Sequence, residues 1–248
     1  MRPAPALVAL GVAAFASGCG GSGAADRTLI VSAASSLEPA FTAYAEAAGI
    51  DARQSFAGSD ELAAQIRQGV RPDVYAAANT SLPEELHRDG LVARPVVFAT
   101  NELVVAVPAG SKIDSLADLA VPGTRLAAGD RGVPVGDYTR EVLSRLPASE
   151  RDGILANVRS AEPDVGGIIG KLTQGAVDAG FVYVTDVKAA DGALAAVELP
   201  RRLAPQVAYG AAVVDGAADP AAARDFIDGL VHGQGTAALR RAGFGPPP

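Results

Sequence analysis

The sequence contains one cysteine, one methionine, two histidines and no tryptophan. A single cysteine excludes an intramolecular disulfide. With so few cysteines and histidines, no Cys/His metal cluster can be written. The histidines, His87 and His232, fall on a surface-like helix and a glycine-rich turn, and no Gly-x-Ser-x-Gly nucleophile motif accompanies them. Both read as surface residues. Aromatic residues make up only 5% of the chain, so the core must be built from Ala, Val, Leu and Ile. A phosphate loop is also missing. Gly166 to Lys171 resembles one, but Val165 stands where its first glycine belongs and Leu172 where Ser or Thr belongs. The two adjacent glycines there, costly within a helix, point to close packing or close backbone approach.

Length and charge add further limits. A chain of 248 residues builds one large domain or two smaller ones, and 49% hydrophobic content without long charge blocks describes a globular protein. The apolar run Ala6 to Ala16 is too short for a stable membrane anchor. It follows Arg2 and precedes Ala16-Ser17-Gly18-Cys19, so residues 1–18 read as a signal peptide. That ending resembles a bacterial lipobox, with Ala16 where Leu is usual, and implies lipidation at Cys19. Residues 19–26 then form a flexible tether that holds the body on the outer side of a membrane, extracytoplasmic and lipid-anchored. Removing residues 1–18 takes away Arg2 and no acid, which shifts the formal charge from -7 to -8. This argues against a nucleic-acid partner. It leaves a small anion open, because screening over about 8 Å lets local dipoles govern a buried site.

What is present is a recurring device. Leu29 to Leu37 reads as a buried strand that stops at small residues, followed by an amphipathic helix with Leu37, Phe41, Tyr44 and Ala48 on one face. Ser35 and Ser36 occupy the N-cap region. A helix start has unpaired N–H groups and about half a positive charge, so strand, serine turn and helix together make an anion site. A single such turn does no more than cap its own helix. Recurrence argues for more, and Ala52 to Ala57 followed by Gly58-Ser59-Asp60-Glu61 repeats the unit, with Ser59 as N-cap. Further strands are expected at 72–78, 102–107, 125–128, 158–161, 179–184, 197–200 and 207–214. Helices are expected near 81–86, 115–119, 137–146, 164–172, 220–230 and 236–241, ahead of an extended or disordered Pro246–Pro248 tail. Alternating strands and helices mean α/β with mostly parallel sheets, whose ligands bind at strand ends.

The order and spacing of certain segments resemble one family. They are Ala33-Ala34-Ser35-Ser36-Leu37, Phe56-Ala57-Gly58-Ser59, Pro72-Asp73-Val74 and Asn101-Glu102-Leu103. Gly129-Asp130 with Val133-Pro134, Asp164-Val165, Val182-Tyr183 with Asp186, and Gly243-Phe244 complete the set. The chain resembles the molybdate-binding proteins of bacterial molybdate ABC transporters, from about Thr28 to Phe244. The resemblance implies a two-lobe type II periplasmic-binding-protein fold, each lobe a mostly parallel sheet flanked by helices, with the ligand cleft between lobes. Lobe one would comprise 27–102 plus 207–248, and lobe two 103–206.

It also implies an oxyanion held by Ser36 and Ser59, through hydroxyl and backbone N–H, by the backbone N–H of Val135 and Val165, and by the Tyr183 phenol. The family commonly has Ala at position 135, and a small polar residue at position 60 where this chain has Asp60. Molybdenum would be bound only as the oxyanion, not as a bare metal ion, with no cofactor. The expected protein is a monomeric, non-enzymatic carrier of molybdate, and of tungstate, for an ABC permease. None of the five positions is acidic or basic, which suits a fully deprotonated tetrahedral dianion that can only accept hydrogen bonds. Other readings are a sulfate or phosphate binder, a ferric binder (which would need paired tyrosines), a serine hydrolase using Ser36 or Ser59, and a sensor or adhesin with a vestigial pocket.

Overall fold

The computed structural model describes residues 27–248. The expected signal peptide and the whole of the expected tether, Cys19 included, therefore lie outside the described residues. No helix among the described residues is long and apolar enough to cross a membrane.

The first half of the chain lays down strands β1 (Leu29–Ala34), β2 (Ala52–Ala57), β3 (Val74–Ala77), β4 (Val96–Asn101) and β5 (Leu103–Pro108). The second half adds β6 (Leu126–Gly129), β7 (Val158–Glu162), β8 (Ala179–Tyr183), β9 (Leu194–Glu198) and β10 (Val207–Val213). They form two five-stranded sheets, ordered β2-β1-β3-β10-β4 and β7-β6-β8-β5-β9. The two sheets repeat one plan. In the first, β1 pairs parallel with β2 and β3, while β10 pairs antiparallel with β3 and β4. In the second, β6 pairs parallel with β7 and β8, while β5 pairs antiparallel with β8 and β9. The pairing is thus half parallel rather than mostly parallel. The reason is the chain's passage between sheets: β5 and β10, the strands that receive it, each run against their neighbours. Only Glu102 separates β4 from β5.

Helices α1 (Glu38–Ala48), α2 (Ser59–Arg67) and α3 (Ser81–Arg88) accompany the first sheet, as do the late α9 (Pro220–His232) and α10 (Gln234–Ala242). Phe41 of α1, Phe98 of β4 and Phe226 of α9 form its aromatic centre, with Phe41 and Phe226 edge to face at 5.4 Å. Asp73, which is 2% exposed, ties the layer together. Its carboxylate accepts from Ile30 N–H of β1 and from Asp219 N–H at the start of α9. The second sheet carries α4 (Leu116–Leu119), α5 (Pro134–Ser144), α6 (Ala148–Asn157), α7 (Val165–Thr173) and α8 (Val184–Ala189).

Several local expectations need correction. Ser35–Leu37 is a short 3-10 turn, Leu37 is the N-cap of α1, and neither serine caps it by side chain. Gly58, not Ser59, is the N-cap of α2, which makes Ser59 its first helical residue. Helix α5 begins at Pro134 rather than near Asp137, because proline suits the first helical turn, where no N–H is needed. Strand β4 and helix α6 are absent from the sequence expectation; α6 has a weak apolar pattern, whereas β4 carries the apolar run Val96-Val97-Phe98-Ala99 and is a strand the residues do signal. β4 is an edge strand with exposed Val96, and α6 has only Ile154 and Asn157 buried. The tail is extended and paired: Thr100 and Gly245 exchange two backbone bonds, and Thr100 Oγ1 donates to Pro246 O.

Close approach places the helix that matters most for the cleft. A Cβ on Gly180 of β8 would lie 2.5 Å from Ile168 Cγ2 of α7 and 3.1 Å from Ala127 O. Any side chain there must lift α7. Gly180→Ala is expected to cost about 1–3 kcal/mol through overpacking, seen as a lower urea midpoint at unchanged slope. An unchanged midpoint would show that α7 yields freely.

Candidate functional site

Helix starts from both sheets converge on one chamber. Ser36 lies in the turn after β1, and Ser59 starts α2 after β2. Val135 sits in the first turn of α5, Val165 is the first residue of α7, and Tyr183 ends β8 as the N-cap of α8. All five line the same cavity, together with small residues such as Ala34, Ala57 and Ala78. Its free space is about 20 Å³, against roughly 10–15 Å³ for one water. It is a chamber for one small group.

The chamber is walled from both sides. A Cβ on Gly58 would come within 2.5 Å of Pro163 O, so the loop before α2 and the loop before α7 touch backbone to backbone. The paired glycines of α7 behave as their cost suggested. A Cβ on Gly167 would sit 2.6 Å from Glu162 Oε2, and one on Gly166 would sit 3.0 Å from Asp164 Oδ1 and 3.9 Å from Ser35 Cβ.

The electrostatics are those of a donor cage. Each of α2, α5 and α7 presents first-turn N–H groups with no partner in its own helix, at ends carrying about half a positive charge each. Ser59 Oγ accepts from Ala78 N–H at 3.1 Å, which leaves the hydroxyl hydrogen free. The Tyr183 hydroxyl is buried and has no hydrogen-bond partner. Burial first, then the nearby Tyr209, pushes its pKa well above the ordinary tyrosine value, so it remains a donor.

Two carboxylates lie close without breaking this rule. Asp164 borders the chamber, but its Oδ1 accepts from Gly167 N–H and caps α7. Asp60 is not among the lining residues; its Oδ1 is buried beside Gly58 and also lacks a partner. The bulk of Val135 is absorbed by Gly129, whose Cβ, if present, would lie 2.7 Å from Val135 Cγ1.

Behind these residues stand further polar groups: Asn101 and Asp186 belong to segments that carry the resemblance but were given no role by it, and Tyr209 belongs to none of them. Ser36 Oγ and the Tyr209 hydroxyl are 3.0 Å apart, and Asn101 Nδ2 reaches both Tyr209 and Thr185. Asp186 accepts from Tyr183 N–H, and burial raises its pKa to about 7 despite that bond. The unfolded carboxyl ionises near 3.8. Between the two values the folded state holds the extra proton, so rising pH costs stability until the folded group ionises. The melting temperature is therefore expected to fall from about pH 4 to 7, and to fall less in Asp186→Asn. Parallel profiles would show that Asp186 titrates normally.

Comparison with known proteins identifies the family and the fold. The profile of the bacterial extracellular solute-binding protein family matches residues 29–245. The molybdate-binding protein ModA of Mycobacterium tuberculosis is 35% identical over 249 aligned residues, covering 97% of this chain and 93% of the relative. ModA of Haemophilus influenzae is 28% identical over 70% of each chain. Among solved structures, the periplasmic molybdate-binding protein of Azotobacter vinelandii superposes with a TM-score of 0.77 at 22% identity, covering 89% of this chain and all of the other. The sulfate-binding protein SubI of M. tuberculosis gives 0.77 at 17% identity, covering 88% and 86%. The fold is that of the two-lobed periplasmic binding proteins. By the extent of the family match and of its relatives, the chain belongs to the bacterial extracellular solute-binding proteins.

Proposed function

We propose that this protein captures molybdate, and tungstate, outside the cytoplasm and hands it to an ABC permease. The observation that carries the reading is the set of donors converging on the chamber, above all the buried Tyr183 hydroxyl that lacks a partner. A buried hydroxyl without a partner costs stability unless a ligand supplies one. Ser36, Ser59 and Tyr183 offer hydroxyl donors, while Val135 and Val165 offer backbone N–H groups. A tetrahedral dianion is acceptor on every face, and three helix starts compensate much of its charge without a lysine or arginine. The names of the 35% identical relatives favour molybdate over other oxyanions.

The division of strands into two sheets supports lobe limits of 27–102 plus 207–248 for one lobe and 103–206 for the other. Closure about their two connections brings the Gly58 and Pro163 loops together. We assign Cys19 as the lipidated residue that holds the monomeric protein at the membrane. A hydrolase reading is disfavoured by the serines' partners. Ser59 Oγ meets a backbone N–H and Ser36 Oγ a tyrosine, and neither is a general base.

Calorimetric titration with molybdate, tungstate, sulfate and phosphate tests the cargo. Tight one-to-one binding of the first two with weak sulfate is expected; no heat with any of the four would remove the assignment. The Ser36→Ala, Ser59→Ala double variant is expected to lose at least about 100-fold in molybdate affinity, since each bond to a charged ligand contributes roughly 1.5–3 kcal/mol. Unchanged affinity would exclude these serines. Gly58→Ala inserts a methyl group between the touching loops, so scattering should show no compaction on molybdate addition. Wild-type compaction in that variant would contradict closure at this contact.

A further inference from the structure

The Ser36 hydroxyl has a partner that decides which way it points. Asn101 is the last residue of β4, at the crossing into the second sheet, and only 8% of it is exposed. Its amide orientation is set locally. Glu102 N–H approaches one side-chain atom at 2.9 Å, and an N–H can only donate, so that atom is the carbonyl Oδ1. The NH2 group then faces the other way. It donates to Thr185 Oγ1 at 2.9 Å and to the Tyr209 hydroxyl oxygen at 3.3 Å. Tyr209 has one hydrogen, and its remaining neighbour is Ser36 Oγ at 3.0 Å. The 3.0 Å contact fits either direction, but only donation to Ser36 gives the buried phenol hydrogen an acceptor, and the serine hydrogen is then left to point into the chamber. Tyr209 cannot rotate away. It is fully buried, with Phe98, Tyr183 and Phe244 packed edge-on or tilted at 6.2, 5.9 and 5.2 Å.

We propose that Asn101 and Tyr209 are positioning residues which, from behind the chamber, fix Ser36 as a hydrogen-bond donor and so exclude oxyanions that carry a proton. The proposal rests on the oxyanion reading of the chamber and adds its selectivity device. A serine free to turn can donate or accept, and would serve hydrogen phosphate as well as a fully deprotonated dianion. A serine held by the relay has one lone pair occupied and its hydrogen aimed at the ligand, so it favours donation over acceptance. The relay also joins the two sheets, because Thr185 belongs to the segment after β8 whereas Tyr209 and Ser36 belong to the first sheet and its turn.

The direction of the relay can be reversed chemically. In Asn101→Asp the new carboxylate cannot donate to Tyr209. The phenol donates to it instead, accepts from Ser36, and leaves the serine oxygen lone pairs facing the chamber. The experiment measures dissociation constants for molybdate and for hydrogen phosphate by competition, at mildly alkaline pH where both are dianions. The added carboxylate charge then affects both alike and cancels in their ratio. Discrimination against hydrogen phosphate is expected to fall about tenfold or more in Asn101→Asp, and several-fold in Tyr209→Phe, which keeps the ring packing but frees Ser36.

In a Ser36→Ala background neither change should alter the ratio, a coupling that a merely structural role would not produce. Thermal melts establish which variants fold, and a Ser36-dependent loss of discrimination in either folded variant supports the relay. Wild-type discrimination in both, or a loss that persists without Ser36, overturns it while leaving molybdate capture intact. Failure of the wild-type protein to bind any oxyanion overturns the capture reading and the relay with it.

Discussion

A doubly charged anion can be buried without a cation only if every group facing it donates a hydrogen bond and is held in place before the anion arrives. On the proposed function, the rest of the structure follows from that constraint. Backbone N–H groups meet it at helix starts, where they have no internal partner, so strands end at the chamber and helices begin there. Side-chain hydroxyls meet it only when something behind them occupies their lone pairs. Ala78 N–H does this for Ser59, and in the proposed relay Tyr209 does it for Ser36. Tyr183 reaches the same end by burial, which keeps the phenol protonated.

The two sheets supply these groups because both are built the same way. Each has a parallel half, whose strand ends feed helices into the chamber, and an antiparallel half formed with a strand arriving from the other sheet. Glycine makes the closeness possible. Gly58 lets two loops meet across the cleft, Gly129 accommodates Val135, and Gly180 lets α7 rest on β8. The polar joint at the crossing, Asn101 with Thr185 and Tyr209, sits where the sheets connect, so cleft geometry and hydroxyl orientation share the same residues.

Much of this is legible in the residues. Strand, serine, helix at 29–48 and again at 52–67 follows from apolar spacing and small-residue turns, and the five residues named from the family pattern do line one chamber. The capping role expected of the serines fails because a serine beside a helix start looks the same in sequence whether its hydroxyl turns back to the helix or outward. Asn101 and Tyr209 are hidden for a similar reason. In sequence Asn101 is only one letter of a motif, and Tyr209 is one more core aromatic, 108 positions away from it.

Linear order alone settles the alternation of elements, rules out an intramolecular disulfide and a Cys/His metal cluster, and supplies the residue types able to meet an anion. Those properties depend on local spacing and on side-chain chemistry, which an unfolded chain already contains. Folding settles the remainder: which donors share a cavity, that the sheets are half antiparallel, and which way the Ser36 hydrogen points. Each of these depends on contacts between residues far apart in the chain, and hydrogen-bond direction propagates through such contacts rather than along the backbone.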